Sequence, residues 1–340
     1  MISTEPLGEA ATNGHHTDAP TEVNARDLFS LHSRTIIGMS ETRTAPWADL
    51  CHPGLFFYSP NSHGVDTHVP LLFLVTGASG GMGLTVVKAI LQSGADVIAV
   101  DRHEAASSAH KDIQRVAQEN NVLLTYQQCD ISNLESTLSG FETAVSRARY
   151  PLRGLVHCAA IGWTGPSISF PINEAKQIVE VNLIGTLICA QAAAALVQRQ
   201  KNGGLSASFV LIASMSGYVV NKGTPNAAYA ASKAGVHQLT RNLASEWGCP
   251  QSGGNGGGGG GGGCPPPIRV NSISPGVIRT PMTADVLAGT DNERIWTEES
   301  MLKRLSEPED YRGPVIFLLS EASAYVTGAD LLVDGGYTAW

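Results

Sequence analysis

From residue 71 to the C-terminus the chain alternates short apolar runs with longer stretches of helical periodicity, and that alternation leaves few architectures open. The runs are LLFLV (71 to 75), DVIAV (96 to 100), VLLTYQQ (122 to 128), GLVHCA (154 to 159), SFVLIAS (208 to 214), IRVNSIS (268 to 274) and DLLVD (330 to 334). Strands so uniformly apolar are buried on both faces, the condition of a parallel sheet with helices on either side. The intervening patterns, at 82 to 93, 105 to 119, 133 to 147, 174 to 200, 227 to 247 and 308 to 320, supply those helices. The expectation is one α/β domain over 71–340, built on a doubly wound, mostly parallel, seven-stranded sheet.

The first strand runs into TGASGGMG, with glycines at 77, 81 and 83 in the spacing TGxxxGxG. Between a strand and a helix, such glycines permit a tight turn and let a pyrophosphate approach the helix N-terminus, where backbone N–H groups are unpaired. The expected fold is therefore Rossmann-like. The second strand ends in Asp101, where such a fold sets an acid on the adenosine ribose hydroxyls; a carboxylate there repels a 2′-phosphate and favours NAD. Arg102 follows at once and carries the opposite preference, because a guanidinium clamps phosphate. The cofactor reads as NAD or NADP, with NAD favoured.

Residues 227 to 236 read AAYAASKAGV, a helix-forming stretch in which Tyr229 and Lys233 lie four apart and so share one face. One reading is a surface helix with a half-packed tyrosine and a snorkelling lysine. The other is an acid/base pair, in which a cation beside a phenol stabilises phenolate and lets it exchange a proton with an alcohol or carbonyl oxygen.

Further segments fall into one order with these: CDI at 129 to 131, VNLIGT at 181 to 186, IASMSG at 212 to 217, YAASK at 229 to 233, SPGVIRT at 274 to 280 and VDGG at 333 to 336. With them the chain resembles the short-chain dehydrogenase/reductase family, in its single-domain branch, over about 71 to 340. The resemblance is closest to fungal polyol and ketose enzymes such as arabinitol and mannitol dehydrogenases or xylulose reductases, and similar sequences serve fungal secondary metabolism. It implies hydride transfer between a nicotinamide cofactor and a secondary alcohol or ketone, and a homo-oligomer, dimer or tetramer. By position it makes Tyr229 the general acid/base and Lys233 its pKa-lowering neighbour, which also holds the nicotinamide ribose. Ser214 is implied to hydrogen-bond the substrate oxygen, and Asn182 to support a water-linked proton relay. The same resemblance sets the cofactor against Gly77, Ser79, Gly81, Met82, Gly83, Asp101, Arg102, Asp130, Ile131, Ala159, Asn182, Tyr229, Lys233, Ile278 and Thr280. Ser216 offers a second hydroxyl beside Ser214, and Asn182 has the alternative of bonding backbone within its helix.

One departure is plain. Where most relatives read NNAG after the fourth strand, this chain reads HCAA at 157 to 160, which puts a methyl where backbone passes close to the cofactor. His157 reads as a packing or backbone-bonding residue, because the acid/base role is already filled. Two other classes compete with the oxidoreductase: a non-catalytic NAD(P)-binding regulatory protein, and a sugar-nucleotide epimerase or dehydratase. The complete Ser214, Tyr229, Lys233 and Asn182 set speaks against the first, and the TGxxxGxG spacing against the second.

Charge leaves small neutral or cationic partners open. A net charge of -8 argues against nucleic acid, which calls for basic patches. The six cysteines, at 51, 129, 158, 189, 249 and 264, lack metal-ligand spacing, so no metal site is expected and reduced thiols in the cytosol are the default. No signal or transit pattern opens the chain and no uninterrupted apolar run of bilayer length is read from it, so a cytoplasmic protein with no membrane partner is expected. Residues 1 to 70 read as a poorly ordered extension, and 250–267, rich in glycine, as a disordered loop. Deleting Gly38 to Leu74 leaves FSLHSRTIIVTGASGGMG, a normal first strand meeting its turn. That segment reads either as a retained intron or mis-assigned exon boundary, or as a genuine N-terminal extension; either way LLFLV is apolar enough to supply the strand. Residues 281–306, with Met282 and Trp296, follow the last cofactor motif without a strand pattern and are expected to form a mobile substrate lid.

Overall fold

In the computed structural model, residues 71–103, 108–200, 206–248, 266–288 and 290–340 are described. The expectations for residues 1 to 70 and for most of the glycine-rich loop lie outside the described residues.

Seven strands form one sheet: β1 (Leu72–Thr76), β2 (Asp96–Asp101), β3 (Leu124–Gln128), β4 (Leu152–His157), β5 (Ala207–Ile212), β6 (Ile268–Pro275) and β7 (Asp330–Val333). The order is β3-β2-β1-β4-β5-β6-β7 and all six pairings are parallel, so the sheet is wholly rather than mostly parallel. The winding reverses between β1 and β4, which opens a crevice above their carboxyl ends. Register levels those ends: Thr76 pairs with Val100 on one side and His157 on the other, and His157 with Leu211.

Alternating side chains explain why both faces need helices. All five residues of β1 are buried. Phe73 and Val75 join one core with α1 (Gly81–Gln92), α2 (Ser108–Glu119) and α9 (Arg312–Leu319), while Leu72 and Leu74 join a second core with α3 (Leu134–Ser146), α5 (Gly185–Arg199) and α6 (Ala227–Trp247). Leu72, Phe73 and Leu74 belong to the segment whose origin the sequence leaves open, and they do supply the strand.

The helix expected at 174–200 is built in three parts. It begins as α4 (Ile172–Val179), widens into a π turn at Glu180–Ile184, and continues as α5. The whole stretch Ile172–Arg199 is long and apolar enough to cross a bilayer by length and composition, with Glu174, Lys176 and Glu180 interrupting its apolar run. Its apolarity has a local use: Ile188, Cys189, Ala192, Ala193 and Leu196 pack into the second core. The expected lid contains two helices, α7 (Pro281–Leu287) and α8 (Asn292–Glu299), the first with Pro281 in its opening turn and a reciprocal Thr280/Thr283 cap.

Candidate active site

The carboxyl ends of the strands open into a cleft of about 500 Å³. Its phosphate end is built by the glycine turn. Gly77 has a φ of +65° and lies so close to the backbone of Ala159 that a Cβ there would sit 2.7 Å from it. Gly80 precedes α1 without a side-chain cap, and the first turn holds no acid, so the unpaired N–H groups face the cleft uncompensated. A cradle of backbone with a free helix N-terminus fits a pyrophosphate.

Asp101 closes the far end. Its carboxylate accepts from the Ser79 N–H at 3.0 Å and the His103 N–H at 3.2 Å, so the acid is held against the glycine turn. Arg102 is exposed on the same wall and donates to the His103 ring at 3.3 Å. Asp130 accepts from the Ser132 N–H and hydroxyl at 3.0 and 2.8 Å, which fixes the loop that carries it and Ile131 along the cleft. Ala160 has a negative φ, since the described non-glycine residues with positive φ are Asn121 and Lys303, so its backbone makes no demand for a glycine.

At the other end, α6 and the turn after β5 converge. Ser214 begins a 3-10 turn, its Oγ accepting from the Ser216 N–H at 3.1 Å and donating to Ser216 Oγ at 3.2 Å. Tyr229 packs over Gly162, where a Cβ would come within 3.2 Å of its ring. Burial pushes the phenol up from its ordinary pKa, and the Ser214 hydroxyl opposes that by hydrogen bonding. Lys233 is fully buried, donates to the Ile212 carbonyl at 2.7 Å, and has its Nζ 5.7 Å from the Tyr229 ring centroid. Burial lowers the lysine to about 8. The expected lowering of the phenol by its neighbour is therefore not what this geometry sets, because the ammonium is turned to a carbonyl and desolvation of phenolate dominates.

Every sequence-expected residue lines this cleft except Asn182, which lies behind its wall. Asn182 Oδ1 accepts from the Ile161 N–H at 2.9 Å, and Nδ2 donates to the Ile161 carbonyl at 2.9 Å and Ser232 Oγ at 3.2 Å. Its side chain is thus spent on tying the loop after β4 to α6, in place of the cofactor contact expected of it.

Sequence reasoning missed two groups. Asp330 accepts from Ser272 and Ser274 at 2.5 and 3.0 Å and from Tyr218 at 3.1 Å, while His237 and Ser274 lie 2.7 Å apart. That cluster ties β6, β7 and α6 to the Ser214 turn. Asn221, Thr224 and Asn226 line the substrate end of the cleft from the loop that joins the Ser214 turn to α6.

His157 is a packing residue, although its bond goes to a side chain: Nδ1 lies 2.9 Å from Thr76 Oγ1, and Nε2 is buried without a partner. Burial, helped by the Lys233 charge, lowers it from 6.5 to about 3. As pH falls below 6.5 the unfolded chain takes a proton there that the folded one refuses until about 3, so stability is lost across that window. His157→Asn removes the effect. Urea unfolding of the variant against pH should give a slope shallower by about 1.4 kcal/mol per pH unit in that window. An unchanged slope means His157 titrates normally.

The family model described as short chain dehydrogenase matches residues 72–291, and one described as Enoyl-(Acyl carrier protein) reductase matches residues 264–338. A short chain dehydrogenase/reductase of Aspergillus versicolor, notP', is 41% identical over 269 residues, 78% of this chain and 87% of that protein. An NADH-dependent L-xylulose reductase of Ambrosiozyma monospora is 36% identical over 280 residues, 79% of this chain and 95% of that one. Among solved structures, an NADPH-dependent 3-quinuclidinone reductase from Rhodotorula rubra superposes with a TM-score of 0.69 at 28% identity, covering 85% of this chain and 99% of that chain.

Proposed function

The chain belongs to the short-chain dehydrogenase/reductase family, and from that premise we propose that it interconverts a polyol and a ketose with NAD as the favoured cofactor. It is an NAD(P)-dependent enzyme that moves hydride between a secondary alcohol and a ketone. The observation that carries the residue assignment is the convergence of Ser214, Tyr229 and Lys233 on one end of the cleft that starts at the glycine turn.

In this reading Gly77, Ser79, Gly81, Met82 and Gly83 hold the pyrophosphate, Asp101 the adenosine ribose, Asp130 and Ile131 the adenine side, and Ala159, Ile278 and Thr280 the nicotinamide side. When bound, the cofactor supplies the hydride donor or acceptor. Tyr229 Oη passes a proton to or from the substrate oxygen, and Ser214 Oγ donates a hydrogen bond to that same oxygen, stabilising charge as it develops. Lys233, held by the Ile212 carbonyl with its Nζ 5.7 Å from the Tyr229 ring centroid, would hold the nicotinamide ribose. Asn182 acts by position: it fixes Ile161 against Ser232, and the Ser232 hydroxyl in turn donates to the Tyr229 carbonyl at 2.7 Å. A phenol raised above its usual pKa is protonated at neutral pH, which equips the site for ketone reduction there; oxidation is expected to gain as pH rises.

Asp101 supports NAD, since its carboxylate stands at the edge of the cleft and faces the position of a 2′-phosphate in such folds. The test is turnover of polyols, ketoses and bulky ketones with each cofactor, for the wild type and Asp101→Ser. The wild type should prefer NADH with a ketose, and the variant should lose roughly 10-fold or more of that preference. A wild type that prefers NADPH, or that reduces only bulky apolar ketones, sinks the corresponding half of the proposal.

A further inference from the structure

Tyr229, Lys233 and His237 recur every fourth residue on one face of α6, and the reaction assigns roles to the first two alone. His237 lies behind the cleft, 4% exposed. Its ring meets the Ser214 turn directly. A Cβ on Gly217 would stand 2.6 Å from His237 Cε1 and 2.9 Å from the Ala234 nitrogen, and the Tyr218 ring stacks on the imidazole with centroids 4.2 Å apart. The turn that carries Ser214 therefore ends on this histidine, with glycine at the point of closest approach.

The far side of the ring is fixed by the direction of its neighbours' protons. Asp330, with a side chain only 6% exposed, accepts from the Ser272, Ser274 and Tyr218 hydroxyls. Ser274 has one proton and gives it to Asp330 at 3.0 Å, so toward His237, 2.7 Å away, it can only accept. That places the imidazole proton on Nε2, and the ring cannot turn over without breaking the bond. Ser274 immediately precedes Pro275 and Gly276, which line the cleft, and the Ala213 N–H donates to the Ile273 carbonyl at 2.8 Å. One buried network thus joins α6, the Ser214 turn and the end of β6. Such a network holds the parts it joins in a single arrangement.

We propose that His237 is a positioning residue: its Nε2–H bond to Ser274 and its packing under Gly217 and Tyr218 set where the Ser214 hydroxyl stands relative to Tyr229. His237 does not line the cleft, so it acts on the reaction through Ser214. A misplacement of about 1 Å in a reacting group can cost about 100-fold in rate, which makes a remote anchor of this kind visible in kcat. The inference rests on the assignment of Ser214 and Tyr229 to the substrate oxygen.

The test is a double-mutant cycle on the full-length protein, with His237→Leu and Ser214→Ala made singly and together and assayed with the preferred cofactor and best substrate. With Ser214 present, His237→Leu should lower kcat about 10- to 100-fold while KM and cofactor affinity stay within about twofold. In the Ser214→Ala background the same change should cost less than about twofold, because the group it positions is gone. His237→Gln, whose amide N–H can donate to Ser274, should return to within about threefold of the wild type. Tyr218→Phe decides the matter if His237→Leu does not fold, since it keeps the stacked ring and removes only the hydroxyl of a half-buried side chain. It should lower kcat about threefold with Ser214 present and not at all without it. Equal losses with and without Ser214, no loss in kcat, or a glutamine that fails to rescue overturns the positioning role. A Ser214→Ala enzyme with full turnover overturns the assignment of Ser214 and the proposal with it. A crippled Ser214→Ala beside an unaffected His237→Leu overturns the proposal alone.

Discussion

Replacing Tyr229 by phenylalanine lowers kcat by about 10² to 10⁴, with cofactor affinity kept within about twofold. The change removes one oxygen and nothing else that the fold uses. The ring still packs over Gly162, α6 keeps its length, and Ser214 keeps its bonds to Ser216. No second phenol among the described residues lines the cleft to take over proton transfer. A loss in kcat without a matching rise in KM identifies a group that acts only in the transition state. Steady-state kinetics with a fluorescence titration of cofactor on the same protein separate the two, and retained turnover would move the acid/base role elsewhere.

The second large effect is structural. In Gly83→Ala the new Cβ stands 2.1 Å from the Gly77 carbonyl oxygen and 2.8 Å from its carbon, contacts that real Cβ atoms do not make. Both atoms are backbone, and Gly77 has no room to retreat because Ala159 lies against it. The turn must open. The cost is about 1–3 kcal/mol of stability from overpacking, and cofactor affinity should fall roughly 100-fold or more as the N–H cradle is spread. Gly313→Ala is the matched control, since a Cβ there meets nothing within 4 Å; it should leave cofactor affinity unchanged and unfolding no easier. Equal behaviour of the two variants in urea unfolding and cofactor titration would contradict the packing argument.

The sheet was readable because burial on both faces imposes continuous apolarity, a local signal, and each of the seven runs became a strand within about two residues. Tyr229 and Lys233 were readable for the same reason, as one helix turn brings them together. What failed to show was set by contacts distant in sequence. The π turn around Asn182 widens a helix by little and leaves its apolar face intact, so periodicity over 174–200 does not betray it. Within residues 281–306 the two helices escaped the reading, although Thr280 and Pro281 offered a readable helix start; Trp296, 3% exposed, anchors the second. Asn221 and Thr224 carry no motif; they line the cleft because Tyr337 and Trp296 hold the Lys222 backbone between them. The direction of the Tyr229 pKa shift also needed three dimensions, because a neighbouring cation in sequence does not say where its ammonium points.

The most direct test of the central claim is hydride transfer itself. The purified full-length protein is incubated with NAD and a pentitol deuterated at the secondary carbinol carbon, and the nicotinamide product is followed by absorbance and mass spectrometry. The account predicts reduced cofactor carrying one deuterium for each ketose formed. Tight cofactor binding with no reduced nicotinamide, across pentitols, hexitols and simple secondary alcohols and with NADP as well, would contradict it and leave a cofactor-binding protein without this chemistry.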